Sequence, residues 1–191
     1  MLTDLLEQMG FVPPGADEKR PRVAVSACLL GRKVRYDGTD KLNPAICHRL
    51  GELLTLEGFC PEVAIGLPVP RPPIQVVEVA GDQRVLGVAD PHQDVTAALK
   101  QYANALPEAL DGFILKARSP SCGPGNTPLH DQAGQVTGLT DGAFAARLRQ
   151  RFAGLPFCSE DDLESDENQA AFVIAVYRHY RRHYHRRPSR G

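Results

Sequence analysis

Short apolar runs alternate with longer amphipathic segments along the chain, and this alternation predicts its elements. Runs rich in apolar and β-branched residues predict strands at 22–26, 74–79, 84–88 and 112–116. Helical spacing of apolar residues predicts helices at 2–9, 43–58, 95–106, 140–152 and 170–184. Strands that alternate with helices of this length are typical of parallel sheets. We therefore expect an α/β fold: a compact single domain with a mostly parallel, Rossmann-like sheet flanked by helices.

Individual residues mark the expected boundaries of these elements. Asn43 and Pro44 are typical of a helix start, and Gly58 is typical of a helix end. Thr140 is placed to cap the helix that follows it. Residues 81–83 predict the turn of a hairpin between the second and third strands.

The composition is typical of one folded domain outside the membrane. With 191 residues, of which 42% are apolar and 24% charged, the chain suits a single core. We expect an N-terminal helix and linker at 1–20, a core domain at 21–165, and a C-terminal helix with a basic tail at 166–191. Residues 1–10 lack the continuous apolar run of a signal peptide, and no stretch approaches membrane-spanning length. We therefore expect a cytoplasmic protein whose five cysteines serve metal or catalytic roles rather than disulfides.

Three of the cysteines follow apolar runs that are typical of strands. Cys28 follows the strand at 22–26, Cys122 follows the strand at 112–116, and Cys60 follows a third short run. If these strands are parallel neighbours, the three thiols lie at the carboxyl rim, where open α/β sheets bind ligands. Three converging thiolates would leave a metal centre one ligand short, and an open coordination position makes a metal reactive. There is no Cys-x-x-Cys pair, so spacing alone identifies no known metal motif.

Polar residues beside these cysteines indicate an active site. The segment 119–125 combines two hydroxyls, a thiol, and glycines that let the backbone approach a ligand closely. Glu62 follows Cys60 by two residues. A carboxylate at this position could act as a general acid or base on a ligand bound to the metal. Structural interpretations are also open for Glu62, as a surface side chain, and for Cys28, as a small core residue.

Four ordered motifs give the chain a family resemblance. They are Val25–Gly38, which ends in Arg-Tyr-Asp-Gly, then Phe59–Val63, Pro70–Pro73 and Ser119–Gly123. Over about residues 20–158, they together resemble the TudS-like thiouracil desulfidases. This resemblance implies a compact α/β desulfidase domain, which we assign to residues 21–165.

The resemblance also implies a cofactor and a reaction. The positions that match the family's ligands for a [4Fe-4S] cluster are Cys28, Cys60 and Cys122. In this family the fourth iron takes up the thiocarbonyl sulfur of the substrate, water replaces sulfur at carbon, and sulfide leaves without net redox change. The matching acid/base and positioning groups are Glu62 and Ser119. Iron held by thiolates is a soft Lewis acid that suits a sulfur ligand, so the physical chemistry agrees with this implication.

Further residues of the motifs have a substrate-side interpretation beside a structural one. Ser121 could donate to developing charge, and we count it among the catalytic residues. Asp37 could bind a pyrimidine N–H, or it could cap its own turn. Arg71 could meet a phosphate or carboxylate of the substrate, or it could be solvated on a rigid loop. Gly123 would let the backbone come close to the substrate.

We expect the two remaining cysteines outside the site. Cys47 lies on the apolar face of its predicted helix, where packing is its expected role. Cys158 could reach the same rim, but a fourth thiolate would close the cluster and hinder catalysis. The family pattern does not call for it, so Cys158 is left out of the ligand set.

Three functions stay open at this point. The first is an iron–sulfur desulfidase acting on a small-molecule thiopyrimidine, either thiouracil or a thiouridine-type nucleotide. The second is a zinc-bearing RNA-binding module, in which the basic residues at 178–187 contact phosphates. The third is a desulfidase acting on thiouridine in tRNA. The basic residues can also simply favour the carboxyl end of their helix, and the net charge of -1 favours a small-molecule substrate.

Overall fold

Strands and helices alternate along residues 2–13, 15 and 18–184, which are the residues described by the computed structural model. The strands are β1 (Arg22–Ser26), β2 (Thr55–Phe59), β3 (Ile74–Val79), β4 (Asp82–Gly87), β5 (Gly112–Leu115), β6 (Thr127–His130), β7 (Val136–Thr140) and β8 (Phe157–Ser159). The helices are α1 (Leu2–Gln8), α2 (Pro61–Ala64), α3 (Thr96–Ala105), α4 (Ala143–Arg151) and α5 (Asp166–Tyr184). Short 3₁₀ turns lie at Ala27–Leu30 and Asp161–Leu163, and a π-helical turn lies at Ala45–Leu50.

One of the two sheets has four strands, all of them parallel, as the sequence predicted. Its order is β2-β1-β5-β8, and each neighbouring pair is parallel. The chain passes from β1 to β2 on one side and later returns to β5 on the other. The carboxyl ends of β1 and β5 therefore flank a point where the strand order reverses, which is where open α/β sheets bind ligands. The predicted α/β fold with a parallel sheet is confirmed.

Alternate residues of the central strands face two separate hydrophobic cores. On one face, Val23, Val25 and Ile114 pack with side chains of α1 and α5. On the other face, Ala24 and Phe113 pack with side chains of α3 and α4. Because helices cover both faces, these short strands are apolar almost throughout.

A second sheet, which was not expected as a separate unit, adds four more strands. Its order is β4-β3-β6-β7, with antiparallel pairs at both edges and a parallel pair in the middle. Ala80 and Gly81 close the β3–β4 hairpin with φ of 52° and 85°, as in a two-residue turn of positive φ, so the predicted turn at 81–83 was displaced. Strands β6 and β7 were missed because their segment is largely exposed and rich in residues typical of turns.

The predicted helix at 43–58 is wrong in its second half. Asn43 does start a helical turn, since its side-chain oxygen accepts a hydrogen bond from Ile46 N at 3.1 Å. That turn ends at Leu50, and residues 55–59 form β2 beside β1. Backbone pairing with β1 and the Arg22–Glu57 side-chain pair across the two strands outweigh the helical spacing of the leucines.

The helix start at Thr140 is also wrong. Thr140 is the last residue of β7, and its hydroxyl donates to the side-chain oxygen of Gln83 at 2.6 Å. Helix α4 begins at Ala143, after Gly142. A strand partner therefore uses the hydroxyl that the sequence pattern assigned to a cap.

Both ends of the described chain pack on the same face of the parallel sheet. Leu6 of α1 and Val173 of α5 belong to one buried cluster. Helix α5 begins earlier than predicted, because the Ser165 hydroxyl accepts a hydrogen bond from Asn168 N at 3.1 Å. The division at residues 20 and 165 stays a prediction, and tail residues 185–191 lie outside the described residues. No described helix combines the length and apolar character needed to cross a membrane.

Candidate active site

Three cysteines meet at the carboxyl rim of the parallel sheet. Cys28 lies in the 3₁₀ turn directly after β1, Cys60 directly after β2, and Cys122 in the loop after β5. These strands are adjacent and parallel, so their carboxyl ends share one edge. All three cysteines line a single cavity of about 450 Å³. The convergence that was argued from strand ends is thus found in the structure.

The cavity makes the three thiols hard to ionise by themselves. Burial raises the pKa of Cys28 to about 11, and it also raises the pKa values of Cys60 and Cys122. Coulombic repulsion from Cys60 also raises the pKa of both of the other thiols. A bound cationic centre would remove this penalty, because metal ligation requires deprotonated sulfur.

The three thiols are the type of donor that an iron–sulfur cluster uses. Among the described residues, no group of three or more His, Cys, Asp or Glu side chains is close enough to hold one metal ion. In a [4Fe-4S] cluster each cysteine binds a different iron, so the ligands surround a larger body than one ion. Three soft sulfur donors line one cavity, so Cys28, Cys60 and Cys122 are the residues that could hold such a group.

The other two cysteines stay outside this cavity. Cys158 lies within β8 opposite Ile114, and its buried sulfur is 3.8 Å from the carbonyl oxygen of Phe113. Cys47 lies on the π-helical turn, with its sulfur 3.5 Å from the carbonyl oxygen of Leu29. Neither residue lines the cavity.

Glu62 is a buried cavity residue whose carboxylate is held from both sides. Its Oε2 accepts a hydrogen bond from Arg71 Nε at 2.8 Å, and its Oε1 accepts one from the Ser121 hydroxyl at 2.8 Å. The Arg71 guanidinium also donates to the carbonyl oxygens of Val34 at 3.0 Å and Pro68 at 3.1 Å. The carboxylate therefore has one orientation, fixed by a cation that is itself anchored to two backbone segments.

Ser119 lines the cavity and also shapes the loop that carries Cys122. Its hydroxyl oxygen accepts hydrogen bonds from the backbone N–H groups of Ser121 at 3.3 Å and Cys122 at 3.1 Å. Its carbonyl oxygen accepts one from the Thr127 hydroxyl at 2.8 Å. In each of these bonds Ser119 is the acceptor, so its hydroxyl hydrogen remains available to a ligand.

Three of the predicted site residues lie outside the cavity lining. Ser121 is fully buried behind Glu62. A Cβ on Gly123 would lie 2.0 Å from the Thr127 hydroxyl oxygen, so this glycine serves close packing within the loop. The exposed Asp37 accepts hydrogen bonds from the backbone N–H and hydroxyl of Thr39 at 3.0 and 2.6 Å, which is the turn-capping alternative. Substrate contacts for Asp37 and Gly123 stay predictions that this geometry does not support.

Several lining residues were not singled out from the sequence. Lys116 follows β5 directly, and its ammonium group pairs with Glu160 at the cavity edge. Arg35, Tyr36 and Lys41 come from the loop after β1 and line the cavity mouth. Arg35 and Tyr36 belong to the Arg-Tyr-Asp-Gly end of the first motif, which gave no reason to separate them from Asp37, and Lys41 lies beyond that motif.

Comparisons with known proteins agree with this geometry. The family model described as 2-thiouracil desulfurase matches residues 23–161. An uncharacterized protein of Bacillus subtilis (strain 168), YbbK, is 32% identical over 151 residues, which cover 74% of this chain and 97% of that protein. A solved structure described as a [4Fe-4S]-dependent thiouracil desulfidase, TudS, is similar with a TM-score of 0.62 and 33% identity. That match covers 82% of this chain and 99% of the solved one.

The matched region contains every element that builds the cavity. It begins within β1 and ends just after β8, so it includes all four strands of the parallel sheet and all three cavity cysteines. The match also spans far more than half of the chain. This chain therefore belongs to the 2-thiouracil desulfurase family.

Proposed function

We propose that the protein removes sulfur from a thiolated pyrimidine at a [4Fe-4S] cluster held by Cys28, Cys60 and Cys122. The observation that carries this proposal is that the three cysteines and the buried Glu62 line the same cavity. The similar structure described as a [4Fe-4S]-dependent desulfidase supports the choice of cofactor. Water supplies the oxygen of the product and sulfur leaves as sulfide, so the reaction needs no electron acceptor.

The chemistry can be divided between the cofactor and the side chains. A thiolate-bound iron cluster supplies a soft Lewis-acidic position that prefers sulfur to oxygen. Glu62 is the acid/base group, because its fixed carboxylate can take a proton from the attacking water. Ser119 directs its hydroxyl hydrogen towards the substrate. Ser121 and Arg71 act through Glu62 as positioning residues, since both hold its carboxylate oxygens.

The size of the cavity favours a small substrate. A volume of about 450 Å³ is within the range of small-molecule sites and suits a base or a mononucleotide. We therefore prefer a free thiopyrimidine to thiouridine within tRNA. The zinc-bearing alternative has less support, because the similar solved structure is described as [4Fe-4S]-dependent. All five cysteines are free thiols, in keeping with a cytoplasmic location, which stays a prediction.

The first test concerns the cofactor. The protein is purified without oxygen, and iron, sulfide and zinc are quantified beside a visible spectrum. We expect about four irons per chain and the broad absorbance of a [4Fe-4S] centre. Cys28→Ser, Cys60→Ser and Cys122→Ser should each lose the cluster, whereas the matched control Cys158→Ser should keep it. Zinc instead of iron, or a cluster that survives all three substitutions, contradicts the proposal.

The second test separates catalysis from cluster binding. Sulfide release from 2-thiouracil and 4-thiouracil is measured for Glu62→Gln and for the exposed control Glu52→Gln. We expect Glu62→Gln to keep its iron and to lose activity by about 10²-fold or more, the usual contribution of a general acid/base. The control should match the unsubstituted protein. Full activity in Glu62→Gln would remove this residue from the mechanism and leave the cofactor assignment intact.

A further inference from the structure

A second large groove lies at the opposite end of the parallel sheet. It runs between the carboxyl-terminal half of α5 and the segments that lead into β5 and β8, and its volume is about 950 Å³. Leu110 and Pro156 line it just before these strands begin. The cysteine cavity lies beyond the carboxyl ends of the same strands. The groove is therefore separate from the proposed desulfidase site and has no part in it.

The wall of the groove is strongly basic. Arg151, Arg178 and Arg182 line it, and the exposed Glu108 is the only acidic residue in the described lining. Arg178 and Arg182 are exposed and form no ion pair with another described residue. They lie one helical turn apart, about 6 Å along the axis, a distance comparable to the spacing of successive phosphates on a nucleic-acid strand. The wall thus offers two available cations to a chain of anions.

The groove also presents the flat side chains of a histidine and an arginine beside these charges. The rings of His179 and His183 pack with centroids 4.3 Å apart, and the His183 side chain is exposed. The Arg151 guanidinium lies 4.6 Å from the centroid of the buried Phe152 ring, so the guanidinium is the face that this pair offers to the groove. Proteins that bind single strands combine a cationic groove with such faces, on which unpaired bases stack. An acidic peptide would use the charges and leave the flat groups without a role.

We propose that this groove binds single-stranded nucleic acid. Phosphates contact Arg178 and Arg182, while bases stack on the ring of His183 and on the guanidinium of Arg151. The proposal does not rest on the desulfidase activity, because the two sites lie at opposite ends of the strands. The alternative is a solvated helix end whose positive residues offset the helix dipole. It predicts no binding of single-stranded nucleic acid.

The test uses fluorescence anisotropy of the full chain with labelled oligouridine and oligothymidine of about 12 nucleotides, a typical site size. Arg178→Ala/Arg182→Ala should weaken binding at least about tenfold and lower the slope of log affinity against log salt by about 1.4, the value for two single-strand phosphate contacts. The exposed pair Lys19→Ala/Lys100→Ala removes the same charge elsewhere and should change neither quantity. A preference between the two oligonucleotides identifies RNA or DNA as the ligand.

A third variant tests the stacking contact. His183→Ala should weaken binding while the salt slope stays unchanged, and His183→Phe should restore affinity, because stacking needs only a flat ring. The arginine variant should retain full sulfide release. Absence of oligonucleotide binding, or equal losses in the arginine and lysine variants, would overturn the proposal. Unchanged affinity in His183→Ala would also overturn it, since a general polyanion site would then explain the data.

Discussion

At the scale of single residues, the buried pair of Glu62 and Arg71 distinguishes this site from a surface cluster of charges. The two side chains are 12% and 4% exposed, and they meet at 2.8 Å. Burying two charges is costly, so such a pair persists only when further hydrogen bonds satisfy both groups. Ser121, Val34 and Pro68 supply those bonds. The sequence placed Glu62 and Arg71 in separate roles, and only the fold showed that each is the other's partner.

Removing one member of this pair should be far more harmful than breaking an exposed pair. We expect Arg71→Met to lower the free energy of unfolding by about 3 kcal/mol, because Glu62 would remain buried without its cation. In the exposed Arg84–Asp94 pair, Arg84→Met should cost about 1 kcal/mol or less. Urea unfolding of both variants measures the difference. The Glu62→Gln/Arg71→Met double variant also removes the buried negative charge, so it should recover part of the lost stability. Equal effects of Arg71→Met and Arg84→Met would contradict a buried pair.

At the scale of elements, helix α4 holds the loop that carries Cys122. The backbone N–H groups of Phe144 and Ala145, in the first turn of α4, both donate to the carbonyl oxygen of Ser121 at 3.1 Å. The first N–H groups of a helix lack partners within the helix, and here the loop provides them. The sequence predicted both the helix and the loop. It had no means of showing that the helix start and the cysteine loop bind each other.

A methyl group at Gly142 should disrupt this contact. Its Cβ would lie 2.5 Å from the carbonyl carbon of Ser121, so the backbone of the loop or the helix must move. We expect Gly142→Ala to lower the free energy of unfolding by about 1–3 kcal/mol, as overpacking does, and to reduce iron content. Gly138→Ala is the control, because no atom lies within 4 Å of its Cβ position. Thermal unfolding and iron quantitation report both effects, and identical behaviour of the two variants would show that the loop is not held this way.

At the scale of the whole molecule, the two terminal helices complete the core beneath the sheet. Leu6 is fully buried in the cluster that contains Val25, Val173 and Tyr177. The Tyr177 hydroxyl also donates to the carbonyl oxygen of Leu53 at 2.7 Å, which ties α5 to the segment before β2. The family match begins at residue 23, after α1, and ends at residue 161, before α5. The helices outside the matched region therefore still cover one face of the parallel sheet.

This packing leads to a prediction about cooperativity. Leu6→Ala should lower the free energy of unfolding by about 2–5 kcal/mol, the usual cost of a buried leucine cavity. The exposed Leu139→Ala should change it by about 0.5 kcal/mol or less. Urea unfolding followed by circular dichroism should show one transition for both variants. A separate early transition in Leu6→Ala would mean that α1 unfolds independently. Such a result would support the expected division near residue 20.

Local patterns in the chain identify several of its elements. Apolar runs at β1, β3 and β5 and helical spacing at α1, α3 and α5 identified these elements because neighbouring residues carry the signal. The runs at β1 and β5, with the short run before Cys60, led to the three cysteines at one rim, since parallel strands place their ends together. Residues before Cys60 had two interpretations, a short strand-like run and the end of a helix, and only the tertiary structure resolved them as β2, because its hydrogen-bond partner β1 lies about thirty residues away. Likewise, only the fold joined Ser121, Glu62 and Arg71 into one network, since contacts between distant segments leave no periodic trace in a single chain.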